Sequence, residues 1–366
     1  MHKIEDEEIF QEFIIDRNFA YNTKRLYSYI LGEYSELNNM SLKELIDEAD
    51  EEEEQGIRPK RRKIVKRLKN YRNWKIQEKH AVSSIKNYFG KVKTFYRHFG
   101  IEIPYIPPAR LKNDVHIRYA DIPTIKHIRE ALETTNNPKH KAVILFIASS
   151  GTANKETLSL TIQDFIEATK EYHNKKNIYE VIDQLKDQKD IIPLFDMYRS
   201  KTDYYYNTCC SHETVEMILK YLKTKETIKN NERLFGIDSS INLLKIFQRI
   251  NDKLNWGKVN HYNFFHPHAL RKFHATTIED IGLANTLQGR KSDLITETYF
   301  KNNPKRIKEK YLEHLPKLTI NKTVVNTVDS EATKELREEL KAKDNLIKDM
   351  NERLTRLEEA DNRPIK

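Results

Sequence analysis

A proline-rich stretch at residues 101–118 constrains the fold more than any other feature of the sequence. It contains Pro104, Pro107 and Pro108. A proline has no amide donor and restricts the residue before it, so a helix cannot continue through this stretch. We expect an extended connection here, with one folded domain on either side. The predicted divisions are a first domain at 1–100, the linker, a second domain at 119–320 and a tail at 321–366.

The first predicted domain has a helical pattern throughout. Its apolar residues recur at helical spacing in short segments, as in Ile9, Phe10, Phe13 and Ile14. Ser41 is followed three residues later by a glutamate, which is the pattern of a capping box and predicts a helix beginning at residue 42. We therefore expect residues 1–100 to form a bundle of short helices.

The charge of the whole chain suits a nucleic-acid partner, and the alternative is a lysine-rich composition unrelated to DNA. The chain carries 64 Lys and Arg against 55 Asp and Glu, a net charge of +9, and cations that neutralise phosphates gain affinity by releasing counterions. An acidic run at 47–54 precedes an arginine-rich segment, which we predict lies along a DNA backbone. The alternative is an exposed helix that pairs with its acidic neighbour. A second basic helix, among aromatic residues, favours DNA. The candidate DNA contacts are Arg61, Arg62, Lys63, Arg67, Lys91 and Lys93.

The second domain has a mixed pattern. Apolar runs at 125–132 and 142–148 indicate helices. Two β-rich runs, 191–195 and 204–209, flank the polar residues 199–203 and predict a hairpin. The expected fold class is mainly α with a small antiparallel β-sheet (α+β).

The tail carries a heptad pattern that predicts a short coiled coil and self-association. The alternative is a lone charged helix folded back on the body. The heptad positions are Leu336, Leu340, Ile347, Met350, Leu354 and Leu357.

Several classes of protein are disfavoured. Cys209 and Cys210 are adjacent, so they cannot form a disulfide that links distant parts of the chain, and they are too few for a structural zinc site. The histidines are not accompanied by carboxylate or cysteine residues at the spacing of metal ligands, so we predict no metal site. No apolar run approaches the ~20 residues that span a bilayer. We expect a cytoplasmic protein with no membrane partner.

A group of residues late in the second domain carries the functional signal. His268 and Arg271 are three apart and would share a helix face. Arg290 follows Gly289, and Tyr299 lies nine residues beyond Arg290. This order resembles the signature of the tyrosine recombinases, the phage integrase family. Segments 149–160 and 199–202 resemble the family's first-arginine segment and its mobile lysine loop. Segments 288–291 and 302–319 resemble archaeal and archaeal-virus (Xer-like) integrases in particular.

The resemblance covers roughly residues 1–318 and implies a site-specific recombinase in which two domains clamp duplex DNA. Tyr299 would attack the scissile phosphate and form a 3′-phosphotyrosyl link, which conserves the bond energy so that no ATP or cofactor is needed. Arg271 would bind two phosphate oxygens, because a guanidinium can do so bidentately. His268 would hydrogen-bond the phosphate or assist proton movement, Lys201 would protonate the leaving oxygen, and Arg290 would add positive charge.

One departure from the family pattern bears on activity. The first arginine of the family should fall at Asn154, which has no charge. Losing one such donor commonly costs ~10²–10³ in rate. The chain is therefore either a slow recombinase or a degenerate relative that binds DNA as an architectural protein. A type IB topoisomerase is a weaker alternative. The resemblance also implies double-stranded DNA as partner, a dimer or tetramer on DNA, and an accessory DNA-bending protein.

Overall fold

The computed structural model describes residues 4–109, 111, 118–290 and 303–321. It divides into two compact units, Met1–His116 and Ile117–Lys366. Tyr299 and the heptad positions of the tail lie outside the described residues, so the predictions for them stay predictions.

The first unit is helical in its described part. Its core combines aliphatic side chains with a group of aromatic residues. Phe13 packs edge-on against Tyr27 and Phe95, and the hydroxyl groups of Tyr34 and Tyr96 lie 3.2 Å apart. The helices are α1 (Glu8–Asp16), α2 (Tyr21–Asn38), α3 (Leu42–Glu54), α4 (Lys63–Gln77) and α5 (Val82–His98), with 3-10 turns at Ile4–Asp6 and Pro59–Arg61.

The predicted capping box is confirmed at the start of α3. The Ser41 hydroxyl accepts a hydrogen bond from the Glu44 amide at 3.2 Å, and the Glu44 carboxylate accepts one from the Ser41 amide at 2.7 Å. Both bonds satisfy amide groups that the first turn of a helix leaves without partners.

The arginine-rich segment pairs with its acidic neighbour. Arg62 is 5% exposed, and its guanidinium donates to Glu53 at 2.6 Å. Arg67 and Lys63 both bind Glu48, at 2.6 and 3.0 Å. The guanidinium of Arg62, a predicted DNA contact, is buried in hydrogen bonds within the unit. The ion pairs of Lys63 and Arg67 with Glu48 are those expected if the basic helix pairs with its acidic neighbour.

The second unit surrounds one apolar helix. Residues 142–150 of this helix, α7, are all buried, as expected of a helix enclosed on every side. Two later helices, His212–Leu222 and Pro267–Ile278, pack against it. The helices are α6 (Ile125–Thr134), α7 (Pro138–Ser150), α8 (Asn154–Ser159), α9 (Ile162–Ala168), α10 (Ile178–Leu185), α11 (His212–Leu222), α12 (Ser240–Lys253), α13 (Pro267–Ile278), α14 (Ile281–Leu287) and α15 (Pro304–Leu318), with 3-10 turns at Tyr119–Asp121 and Lys170–Tyr172.

Two small antiparallel sheets complete this unit, which confirms the α-rich fold class. Strands β1 (Leu194–Arg199) and β2 (Tyr204–Cys209) form the predicted hairpin, with Leu194 opposite Cys209 and Arg199 opposite Tyr204. The second sheet pairs β3 (Lys258–Val259) with β4 (Tyr262–Asn263). The first strand begins and ends later than predicted, since residues 191–193 precede it and Arg199 is its last residue. Pro193 has no amide to donate to a ladder, which explains the late start.

Across the described ranges, we find no helix with the length and apolar character needed to cross a bilayer.

Candidate functional site

The site is built where the end of α7 meets α13. Gly151 ends α7 with φ +66°, a conformation that glycine adopts without strain. A Cβ at this position would lie 2.5 Å from Nδ1 of His274 on α13. Glycine is therefore required both to end the helix and to let α13 approach it. The carbonyl oxygen of Gly151 is left free to face the side chains of α13.

Arg271 on α13 is held at this junction. It is 4% exposed, and its guanidinium donates to Gly151 O at 2.5 Å and to Gln288 O at 2.7 Å. Burial, and then the nearby cations Arg290 and Arg199, lower the pKa of Arg271 to about 10. The side chain therefore remains charged at neutral pH. A buried cation held by two carbonyl oxygens and facing other cations is suited to bind an anion.

Arg199 reaches the same place from the hairpin. Strand residues alternate between faces, so Arg199 shares the buried face of Phe195 and Met197. Its Nη1 donates to Gln288 O at 3.0 Å, and its Nε lies 3.6 Å from Oε1 of Glu156 on α8. Two arginines thus share one carbonyl oxygen, with a buried carboxylate beside one of them.

Gln288, at the end of α14, links these groups. Its side-chain amide donates to Arg271 O at 2.9 Å and to Nδ1 of His274 at 3.0 Å. The next residue, Gly289, has φ +59°, and a Cβ there would lie 2.5 Å from the ring of Tyr206. Burial raises the pKa of the Tyr206 hydroxyl well above its usual value, so this side chain is neutral. The Gln288–Gly289 backbone is thus packed between α13 and the hairpin.

Two further predicted residues lie near this cluster. Arg290 is exposed; its pKa is lowered by desolvation and then by the charge of Arg199. His268 is exposed one turn before Arg271 on α13. Its pKa is lowered by partial desolvation and then by Lys272, which keeps it neutral near pH 7.

The structure leaves other predicted residues apart from the cluster. Lys201 is exposed in the hairpin turn, and within the described residues its ammonium has no hydrogen bond or ion pair. Asn154 is the half-buried first residue of α8. Sequence analysis missed Arg199, Gln288 and His274 as members of the site. The alternation of the strand that ends at Arg199 was the signal for the first of them.

The cluster therefore presents an excess of positive charge. Arg199, Arg271 and Arg290 influence one another electrostatically, and Glu156 is the acidic group that offsets them among the described residues. A guanidinium carries five N–H donors, and Arg271 and Arg199 use two and one of theirs in hydrogen bonds within the described residues. The remaining donors suit an oxyanion with several acceptor oxygens, such as a phosphate.

Comparison with known proteins supports the fold. No family model and no curated protein matches the sequence. The solved structure of the Tn1549 transposon integrase, in complex with transposon right end DNA, matches with a TM-score of 0.51 and 13% identity, over 86% of this chain and 100% of that one. This chain has the fold of that integrase. XerH site-specific recombinase bound to difH substrate matches with a TM-score of 0.43 and 15% identity over 67% and 69% of the two chains. XerA recombinase matches with a TM-score of 0.36 and 17% identity over 84% and 96%.

Proposed function

We propose that this chain is a tyrosine-type DNA strand transferase, a site-specific recombinase that uses Tyr299 as its nucleophile. The observation that carries the proposal is the convergence of Arg199 and Arg271 on Gln288 O, with Arg290 close by. A cluster of this kind suits a phosphodiester. The sequence places a tyrosine nine residues after Arg290, and the fold is that of a transposon integrase. Within the family, the flank at 302–319 favours the archaeal and archaeal-virus integrases.

The proposed reaction balances without another reactant. The Tyr299 oxygen forms a bond to phosphorus and gives up its proton to solvent, and the bond from phosphorus to the 5′ oxygen breaks. Lys201 donates a proton to that oxygen, which leaves as a 5′ hydroxyl. Arg271 and Arg290 stabilise the charge on the non-bridging oxygens, and His268 hydrogen-bonds one of them. Attack by a 5′ hydroxyl on the phosphotyrosine reverses these steps and rejoins a strand.

A DNA-binding protein that cuts poorly is the second candidate. Asn154 favours it, since an uncharged residue stands where the family carries an arginine. Removing one preorganised donor from such a site commonly costs ~10²–10³ in rate. DNA binding and self-association on DNA, through the heptads of the tail, belong to both candidates. We retain double-stranded DNA as partner in each.

The proposal predicts a covalent adduct. Incubating the full chain with a pool of nicked, end-labelled duplexes should give an SDS-resistant protein–DNA species, because the short strand released from a nicked site diffuses away before it can rejoin. Tyr299→Phe should bind the same duplexes and give no adduct, since phenylalanine has no nucleophilic oxygen.

The matched control makes the same substitution at an exposed tyrosine outside the cluster. Tyr262→Phe removes the hydroxyl of a residue on β4 and should leave the adduct yield unchanged. DNA binding by the wild type with no adduct, together with adduct formation by Asn154→Arg, would favour the second candidate. An adduct that persists in Tyr299→Phe would contradict the proposed nucleophile.

A further inference from the structure

Residues 151–156, from the end of α7 into α8, bring no cation to the site. Three residues before Glu156, on the side of the chain that faces the same way, is Ala153, and Asn154 follows it. Neither is charged, and Lys155 is exposed. Glu156 is nevertheless 6% exposed, and a buried carboxylate is costly without a cationic partner. The partner must therefore come from another element.

Arg199 is that partner. Its Nε lies 3.6 Å from Glu156 Oε1, and its side chain is 17% exposed. The distance is that of an ion pair and exceeds that of a hydrogen bond, so the Nε–H group is not hydrogen-bonded to Glu156. In the described part of the chain, both this Nε and Glu156 Oε2 are buried without a hydrogen-bond partner.

The position of Arg199 is set by its place on β1 and by one further hydrogen bond. The strand alternation of β1 directs it to the buried face, and Gln288 O holds its Nη1 beside the guanidinium of Arg271. The guanidinium groups of Arg199 and Arg271 both donate to Gln288 O, and each has further N–H groups that form no hydrogen bond in the described residues. Such a pair of guanidinium groups suits the two non-bridging oxygens of one phosphodiester.

We propose that Arg199 is a catalytic residue that supplies, from the hairpin, the second phosphate-binding guanidinium that Asn154 does not provide. The inference rests on the proposed strand-transfer function. It also gives Glu156 a role, because its carboxylate lies 3.6 Å from Arg199 Nε and orients the guanidinium.

The first test compares variants on two substrates. On an ordinary scissile phosphodiester, Arg199→Gln should lower the rate of adduct formation by ~10²–10³, and Arg199→Lys should recover only part of it, because an ammonium cannot form a fork. On a duplex with a methylphosphonate at that position, one non-bridging oxygen and its charge are absent. The defect of Arg199→Gln relative to wild type should then shrink to less than about tenfold for one diastereomer.

Two control variants define the comparison. Lys201→Met should be equally defective on both substrates, because a proton donor is needed whatever the charge on the phosphate. Arg249→Gln removes an exposed arginine of α12 and should match the wild type on both. An Arg199→Gln defect of the same size on both substrates, or no defect on the phosphodiester, would overturn the inference and leave the proposed function standing.

Stability is controlled separately, because Arg199→Gln leaves Glu156 buried without its partner. If its melting temperature shows that Arg199→Gln does not fold, the double variant Glu156→Gln/Arg199→Gln removes the unpaired charge and is assayed instead, with the same expected dependence on the substrate.

A second measurement does not depend on cleavage. Inorganic phosphate should raise the melting temperature of the wild type and of Arg249→Gln, since a ligand that binds the folded state stabilises it. The increase should be lost in Arg199→Gln. If the wild type gives no adduct, the proposed function fails, and the phosphate experiment still decides on Arg199: an equal shift in Arg199→Gln, or no shift in the wild type, would overturn the inference.

Discussion

His274 is a fully buried histidine beneath the arginine cluster. Its Nδ1 accepts a hydrogen bond from the Gln288 side chain at 3.0 Å, and Gly151 packs against its ring. Burial, and then the charges of Arg271 and Arg290, lower its pKa to about 3, from 6.5 for the free side chain. The folded protein therefore keeps His274 neutral at physiological pH, and this neutral ring holds the residue on which the two arginines converge.

This pKa shift predicts a pH dependence of stability. Below about pH 6.5 the unfolded chain binds a proton at His274 that the folded chain cannot, so the stability present above pH 6.5 is lost as the pH falls toward 3. When the pH falls from 7 to 5, the unfolding free energy of the wild type should decrease, and that of His274→Gln should decrease by about 2 kcal/mol less. Urea unfolding at both pH values measures the two losses, and equal losses would contradict the assignment.

Single residues also show where sequence reasoning ends. His268, Arg271 and Arg290 follow from a motif, and the structure brings Arg271 and Arg290 within electrostatic reach of each other. The sequence analysis assigns Arg199 to a polar turn because it precedes Ser200 and Lys201, and extending the alternation of β1 by one residue would place it on the buried face. Gln288 could not be found at all, since it acts through its main-chain carbonyl oxygen, which every residue possesses.

At the scale of elements, the sequence predicted the local chemistry, and it left open whether the arginine-rich segment pairs with its acidic neighbour or with DNA. The capping box of α3 and the hairpin follow from short sequence patterns. The ion pairs of Arg62, Lys63 and Arg67 join residues 9 to 19 positions apart and depend on how the segments pack. By contrast, the two candidate DNA contacts on α5, Lys91 and Lys93, have no carboxylate partner in the described residues. Lys91 lies 4.2 Å from the ring centre of Tyr27, and Lys93 lies 5.2 Å from that of Phe89.

We predict from this difference that α5 contributes to DNA binding and that the paired lysine of α4 does not. In Lys91→Gln/Lys93→Gln, the slope of log affinity against log salt should fall by about 2, because each lysine that leaves a phosphate removes ~0.9 from it. Lys63→Gln is the matched control: its ammonium is bound to Glu48 at 3.0 Å, and its slope should equal that of the wild type. Equal slopes for all three proteins would contradict a DNA contact on α5.

At the scale of the whole molecule, the chain combines a helical unit with an α+β unit that contains the arginine cluster. The chain has 64 basic and 55 acidic residues, and this excess of positive charge suits a DNA partner. The fold is shared with a transposon integrase at 13% identity. At that level of identity the fold is retained while the catalytic residues can change. In our proposal, Arg199 on the hairpin supplies the charged donor that Asn154 on α8 lacks.

The most direct test of this account is to identify the residue that becomes attached to DNA. The adduct is trapped on nicked duplexes, digested with nuclease and trypsin, and analysed by tandem mass spectrometry. We predict a nucleotide linked through its 3′ phosphate to Tyr299, with a free 5′ hydroxyl on the released strand. Attachment to another residue, or a 5′-phosphate linkage to the protein, would contradict the account.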